Sequence, residues 1–199
     1  MIPDDIRKKL QNIIRGELQE GSTDSCTTIR NLLCQSFGAN PTVKSEFESR
    51  AIIKEEQVTF LRSYAQKEGL WLKSLPLGCQ YLTEGGEAKV YLSADGRQVI
   101  KFNDAGYYAT WTEYFSSLTI HNLLFSNTAY FLLGFTDVQQ KLSAVVQQHF
   151  VEGEQASLDH IEGFLNFNGF IKTRRQDYYH SDLKLTLEDM HDENVIAKD

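Results

Sequence analysis

The sequence predicts an α+β chain, helical as far as residue 69 and built on a sheet beyond it. Two observations lead there. Up to Tyr64, apolar residues recur at steps of three and four, the spacing that gathers them on one stripe of a helix. From Leu70 the texture changes to short runs rich in β-branched and aromatic residues, broken by glycine, which is the composition of strands joined by tight turns. The bulk composition agrees with a packed domain. Of 199 residues, 41% are hydrophobic and 24% charged, and 12 Phe with 9 Tyr supply enough apolar surface to bury a core.

The first helix follows Pro3, Asp4 and Asp5, acidic residues suited to a helix N-terminus, and runs through Ile6, Leu10, Ile13, Ile14 and Leu18 until Gly21 closes it. The second carries Ile29, Leu32, Leu33 and Phe37 and is stopped by Gly38 and Pro41. The third is expected to open at Ser45, with Glu48 three residues on in a capping-box pattern, and to continue through Ile52, Phe60, Leu61 and Tyr64 to Gly69. These helices show amphipathic faces and no chemistry, so they read as an extension packed on the rest.

Strands are expected at 79–82, 89–93, 98–102, 129–135 and 142–148. Ala94-Asp95-Gly96 is a tight-turn signal that pairs the second and third as an antiparallel hairpin. Trp111, Phe115, Leu118, Asn122 and Phe125 place a helix before the fourth strand, and Leu158, Ile161, Phe164 and Leu165 place another after Gly153, with Gly169 beyond it. Leu183, Leu185 and Leu187 alternate with Lys184, Thr186 and Glu188, the period of a half-buried strand, and Val195-Ile196-Ala197 forms one more.

Charge narrows the function. Residues 1–70 hold 10 acidic and 10 basic side chains, residues 71–199 hold 17 and 10, so the net -7 lies in the second part. No basic face accumulates there, and Lys172, Arg174 and Arg175 form too short a cluster to release counterions, so nucleic-acid binding is excluded as the main activity. Cys26, Cys34 and Cys79 are odd in number, two of them eight residues apart in one expected helix, which argues against disulfides and for a reducing compartment. The first ten residues are charged, and the longest apolar stretch, 129–135, is far below a membrane span, so the expected location is the cytoplasm with no membrane partner.

The chemistry gathers in the polar hexapeptide Asp189-Met190-His191-Asp192-Glu193-Asn194, between the last two expected strands. An Asp followed five residues later by an Asn on such a loop resembles the catalytic loop of the protein-kinase-like superfamily. There the Asp orients the attacking hydroxyl and takes its proton, while the Asn turns back to hold a metal ion bridging ATP phosphates. His191 stands where protein kinases carry lysine and is similar to the aminoglycoside phosphotransferase form, Asp-x-His-x-x-Asn. Leu187 and Glu188 replace the usual His-Arg, which puts control through that arginine in doubt.

Upstream elements follow in the order that this resemblance requires. Lys101, in Val99-Ile100-Lys101-Phe102, resembles the strand-three lysine that contacts ATP phosphates. Residues 83–91 fall where a phosphate-covering glycine loop belongs. Aligned on Val90, Gly85 keeps a family glycine position, Thr83 and Ala88 replace the other two, and Gly85-Gly86 would let backbone amides approach phosphate. Glu113, twelve residues after Lys101, matches the helix glutamate that pairs with the lysine. Residues 145–153 resemble strand five running into the hinge, which implies that Gln148 and Phe150, with Val90, contact the nucleotide. The strings Gly-Gly-Glu-Ala-Lys-Val-Tyr, Val-Ile-Lys-Phe, Phe-Val-Glu-Gly and Asp-Met-His-Asp-Glu-Asn-Val are similar to the small kinase domain of polyvalent proteins from bacterial mobile elements.

Over residues 70–199 the resemblance implies a helical extension at 1–69, a kinase-like N-lobe and hinge at 70–152 made of a five-stranded antiparallel sheet plus a helix, and a truncated helical C-lobe at 153–199 that ends in the catalytic loop. It implies ATP as phosphate donor, Mg²⁺, catalytic Asp189, Lys101 and Glu113, Asn194 as metal ligand, and a protein or small-molecule hydroxyl as acceptor. The family's second acidic metal ligand lies on the hairpin after the catalytic loop. Residues 194–197 match that hairpin's first strand and Lys198-Asp199 its turn, so the given sequence ends before the ligand and weak transfer is expected of it alone. Two readings compete. One is a non-catalytic protein-interaction module on a pseudokinase-like core. The other is a metal-dependent phosphohydrolase using Glu188, His191 and Asp192 with His149, His160 and His180, among which no pair stands at the i, i+4 ligand spacing.

Overall fold

The computed structural model describes residues 3–21, 24–38, 47–74 and 76–197, with side chains in the third helix from Arg50 onward. Pro41, the Ser45/Glu48 capping box and the Lys198-Asp199 turn lie outside the described residues or side chains. The expected α+β class is observed: α1 (Asp4–Ile14), α2 (Ser25–Phe37) and α3 (Phe47–Lys67) precede a sheet that is interrupted by α4 (Trp111–Leu124). Contacts divide the chain into two compact units, 12–150 and 1–11 with 151–199.

In the 12–150 unit, β1 (Gln80–Glu84), β2 (Ala88–Leu92), β3 (Gln98–Asn103), β4 (Phe131–Val138) and β5 (Lys141–His149) form one antiparallel sheet in the order β1-β2-β3-β5-β4. Because side chains directly opposite each other share a face, the register Val90↔Lys101↔Val146↔Leu132 draws one row across four strands. The next row on that face is Leu92↔Val99↔Gln148. Leu132, Phe135, Ala144 and Val146 of the sheet join Trp111, Phe115 and Leu118 of α4, Ile29 and Leu33 of α2, and Leu61 and Ala65 of α3 in one core. Two of the helices expected as an extension, α2 and α3, thus share the apolar centre of the sheet, each fully buried large side chain contributing about 1.5–3 kcal/mol. A bulge between Leu132 and Gly134 brings the Leu70–Leu72 backbone against β4, with Phe135 N–H donating to Leu70 O and Leu72 N–H to Phe135 O, both at 2.8 Å. Gly134 is required there, because a Cβ would collide with the Leu70 carbonyl oxygen.

Both ends of α4 are tied down by side chains from the preceding helices. At its start, Thr110 Oγ1 accepts from Glu113 N–H (3.1 Å), while Glu113 Oε2 accepts from Ala109 N–H (3.1 Å), a variant of the capping box. Gln57, fully buried on α3, accepts from Trp111 N–H (2.8 Å) and Thr112 N–H (3.4 Å) and donates to Thr112 Oγ1 (2.8 Å). One turn earlier, Lys54 Nζ donates to the Ala105 and Tyr108 carbonyls, at 2.6 and 2.8 Å. Near its end, Asn122 Nδ2 donates to Asp24 Oδ1 (3.0 Å), and Asp24 itself caps α2 by accepting from Thr27 N–H (2.8 Å). Arg30 on α2 is 1% exposed and donates to the Ile13 and Glu17 carbonyls and to Ser116 Oγ of α4.

In the other unit, α5 (Leu158–Phe167) buries Ile161 and Leu165, and Leu158 and Phe164, expected on the same face, are exposed. These two buried residues pack with Ala156, Phe170 and Tyr178. The strands β6 (Glu154–Gln155) and β10 (Ile196–Ala197) pair antiparallel, and β7 (Ile171–Lys172), β8 (Tyr178–His180) and β9 (Leu185–Leu187) form a small sheet. Strands of two or three residues have too short a pattern to register as an alternation, which is why β6, β7 and β8 carry no sequence signal. All three cysteines are free thiols; burial and the Asp24 charge push Cys26 up to about 12, so it behaves as an apolar core residue. Among the described residues no helix is long and apolar enough to cross a membrane.

Gln57→Leu keeps the bulk of that side chain and removes its polar atoms. It is expected to lower unfolding stability by about 2–3 kcal/mol, the penalty for burying the Trp111 N–H and Thr112 hydroxyl unpaired. Urea denaturation of the full chain measures this, and a loss below about 0.5 kcal/mol would show that the amide does not hold α4.

Candidate active site

Lys101, Val90 and Gln148 stand in two adjoining rows of one sheet face, so the antiparallel register gathers three residues that are far apart in sequence. Val99, 8% exposed, lies between Leu92 and Gln148 in the second row. The Gln148 side-chain oxygen is buried and has no hydrogen-bond partner among the described residues, an arrangement that costs about 1–3 kcal/mol unless a ligand or water supplies a donor. Phe150 follows β5, with its N–H on the Arg97 carbonyl (2.8 Å) and its side chain exposed.

Gly85 and Gly86 form the turn between β1 and β2, where Gly85 N–H donates to Ala88 O at 3.0 Å. Space around Gly85 is open. A Cβ on Gly86, by contrast, would meet the Tyr107 hydroxyl at 2.6 Å, so the loop between β3 and α4 lies over this turn. A cavity of about 210 Å³ on the opposite face of the sheet, lined by Lys89, Tyr91, Phe102 and Asp137, shares none of these residues.

Lys101 and Glu113 are not brought together. Among the described residues no hydrogen bond or ion pair joins them. Glu113 is committed to the Ala109 N–H at the first turn of α4. The Lys101 ammonium donates to Tyr130 Oη at 3.0 Å and lies 5.1 Å from the centroid of its ring. Tyr130 is in turn fixed by Asn122, whose Oδ1 accepts from Tyr130 N–H (2.7 Å) and whose Nδ2 donates to Tyr130 O (2.8 Å). His121 sits 4.8 Å from the Tyr130 ring with Nε2 on the Thr128 carbonyl (3.0 Å). No motif marks Tyr130 in the sequence; it joins the site only because β4 runs beside β5.

In the smaller unit, Asp189 and Asn194 are in direct contact. Asn194 Nδ2 donates to Asp189 O (2.8 Å) and Oδ2 (3.0 Å), and His191 Nε2 lies 3.3 Å from Asp189 Oδ1 and 3.2 Å from Asn194 Nδ2. A 3-10 turn at Asp192–Asn194 folds the asparagine back onto the aspartate. Asp189 has φ +58, a left-handed conformation uncommon outside glycine but accessible to Asp. It is held there by Asp177 Oδ1, which accepts from Asp189 N–H (3.0 Å), and by the Gln176 carbonyl, which accepts from Met190 N–H (2.9 Å). Asp177 is a second residue that the sequence reading missed, since the β7–β8 hairpin alone brings it to the loop. The Asp189 side chain is 74% exposed and open to solvent.

The donor set suits Mg²⁺ in part. That ion is usually held by one or two protein oxygens together with substrate phosphates, and here the Asn194 Nδ2 is engaged while Oδ1 takes no donor among the described residues. Among the described residues no group of three or more His, Cys, Asp or Glu could hold a metal, so the phosphohydrolase reading lacks a ligand cluster there.

Residues 54–199 match the model of a family described as serine/threonine/tyrosine kinase found in polyvalent proteins. No curated protein and no solved structure matches the chain.

His121 gives this region a pH dependence. Burial, and secondarily the Lys101 charge, hold it below its ordinary value of 6.5, against the pull of the Thr128 carbonyl. A histidine depressed by folding binds protons more readily in the unfolded chain, so stability is full above about pH 6.5 and falls as the pH drops below it. Denaturation at pH 7.5 and 5.5 is expected to show a larger loss for the unaltered chain than for His121→Gln; equal losses would contradict this.

Proposed function

The chain belongs to the serine/threonine/tyrosine kinase family found in polyvalent proteins, and on that premise we propose that it binds ATP and passes the γ-phosphate to a hydroxyl through Asp189. The single observation that carries the proposal is the common sheet face of Val90, Lys101 and Gln148, with the Gly85-Gly86 turn leading into β2. An apolar strip, one fixed ammonium and a glycine turn whose amides can approach an anion are the features that receive a base, its phosphates and their outer oxygens.

In this reading Val90 and Phe150 contact the base and the unpartnered Gln148 oxygen accepts from a donor on it. Lys101 binds phosphate oxygens, and Gly85-Gly86 covers them. In the other unit, Asp189 accepts the proton of the attacking hydroxyl as the new P–O bond forms, and the bond to the departing ADP oxygen breaks. Asn194 holds Asp189 in place and offers Oδ1 to Mg²⁺, which when bound screens the phosphate charge. That screening has a particular use in a region whose 17 acidic side chains outnumber its 10 basic ones. Glu113 stays the lysine partner implied by resemblance, and it would have to leave the Ala109 N–H to act so. The acceptor is a protein or small-molecule hydroxyl.

Mg-ATP is expected to raise the melting temperature of the full chain, and Lys101→Ala to weaken binding at least tenfold. Asp189→Asn is expected to keep the shift while cutting label transfer from γ-labelled ATP to Ser, Thr and Tyr peptides by about 10²–10⁴. Absence of a shift with any nucleotide would overturn the proposal and favour the protein-interaction module.

A further inference from the structure

We propose that Tyr130 is the positioning residue for Lys101, holding its ammonium against a neutral hydroxyl at the C-terminal end of α4. The inference rests on the reading of Lys101 as the phosphate-binding lysine, and it concerns what aims that lysine.

Three independent features converge on Tyr130. Its hydroxyl is 3.0 Å from Lys101 Nζ and its ring centroid 5.1 Å away, so the ammonium has both a hydrogen-bond acceptor and an aromatic face. Its backbone is fixed by both polar atoms of Asn122 and by the Cys26 thiol, which donates to the Tyr130 carbonyl at 3.6 Å. Finally, Lys101, Val146 and Leu132 form one row across β3, β5 and β4, and Tyr130 precedes Leu132 by two residues, so it shares that face and the lysine reaches it by lying across the row.

Position along α4 separates Tyr130 from Glu113. His121 and Asn122, which flank Tyr130, lie eight and nine residues beyond Glu113, about 12–14 Å along the helix axis. The contact of Lys101 Nζ with the Tyr130 hydroxyl and ring places the ammonium at that far end. Glu113 is turned to the Ala109 N–H, and its charge acts on Lys54 of α3. The helix C-terminus, with its outward carbonyls, favours a cation. The two arrangements also differ in their chemistry. A carboxylate would neutralise much of the ammonium charge, whereas a hydroxyl fixes its direction and leaves the charge for an anion.

The test compares Tyr130→Phe with Glu113→Gln in the full chain. Phenylalanine keeps the ring and every backbone contact, and glutamine keeps an acceptor for Ala109 N–H. Two quantities are read: the labelling rate of Lys101 by an amine-reactive reagent, followed by peptide mass spectrometry, and the ratio of ATP to adenosine affinity. Tyr130→Phe is expected to raise Lys101 labelling several-fold and to weaken ATP about five- to tenfold with adenosine unchanged, while Glu113→Gln raises the labelling less than Tyr130→Phe does. A loss of packing would weaken adenosine equally and would count against a positioning role. Unchanged labelling in Tyr130→Phe, or an equal or larger rise from Glu113→Gln, would overturn the proposal. If the chain binds no ATP but Tyr130→Phe still exposes Lys101 to the reagent, the Tyr130 contact stands and the nucleotide reading falls.

Discussion

The side-chain amide of Gln57 is the contact on which the 12–150 unit turns. A helix begins with backbone N–H groups that have no partner within it, and an N-terminus buried against other elements must find acceptors elsewhere. At α4 the need is met from another helix, because Gln57 places its oxygen on the Trp111 and Thr112 amides and its nitrogen on the Thr112 hydroxyl. Trp111 can then be 1% exposed at the first position of α4, packed against Phe115 and Phe135, without an unpaired backbone donor beside it. Lys54 extends the clamp into the loop before the helix.

With its start fixed, α4 carries that position to its other end. Asn122 joins three segments through one side chain, Asp24 at the head of α2 and both backbone groups of Tyr130 at the entry to β4. The Tyr130 hydroxyl therefore reports the placement of α4 to β3, where Lys101 receives it. An ammonium on a flexible four-carbon stem samples many positions in water, and one directed acceptor reduces them at small electrostatic cost. The same helix thus links α2 and α3 to the lysine of the sheet, a physical reason for these N-terminal helices to share the core.

The loop of residues 189–194 is built by another route. Its bonds are short in sequence, Asn194 to Asp189 and His191 to Asp189, and they close a small ring that needs no distant partner. What the ring lacks is an anchor for the left-handed backbone of Asp189. Asp177 supplies one from the β7–β8 hairpin, in a unit whose buried cluster is small. An exposed loop bound mainly by polar contacts orients its groups while leaving them open to water and ligand.

The residues themselves determined much of this. The steps of three and four defined α2, α4 and the buried Ile161 and Leu165 of α5, and placed α1, which ends at Ile14 and not beyond Leu18 as expected; glycine with β-rich runs defined the five strands to within three residues of their observed ends. The Asp189-to-Asn194 spacing carried its own geometry, since five residues with a tight turn suffice to fold one side chain onto the other. Local pattern could do this because each signal lies within one turn or one strand. The partner of Lys101 was not of that kind. Glu113 was the nearer choice by resemblance, but the capping need of its own helix engages it, and the acceptor that meets the ammonium comes from a strand two places away in the sheet. Strand order and register, along with the helix-to-helix clamps of Gln57 and Asn122, join positions tens of residues apart in sequence; no periodicity records such pairs, so only the tertiary structure decided them.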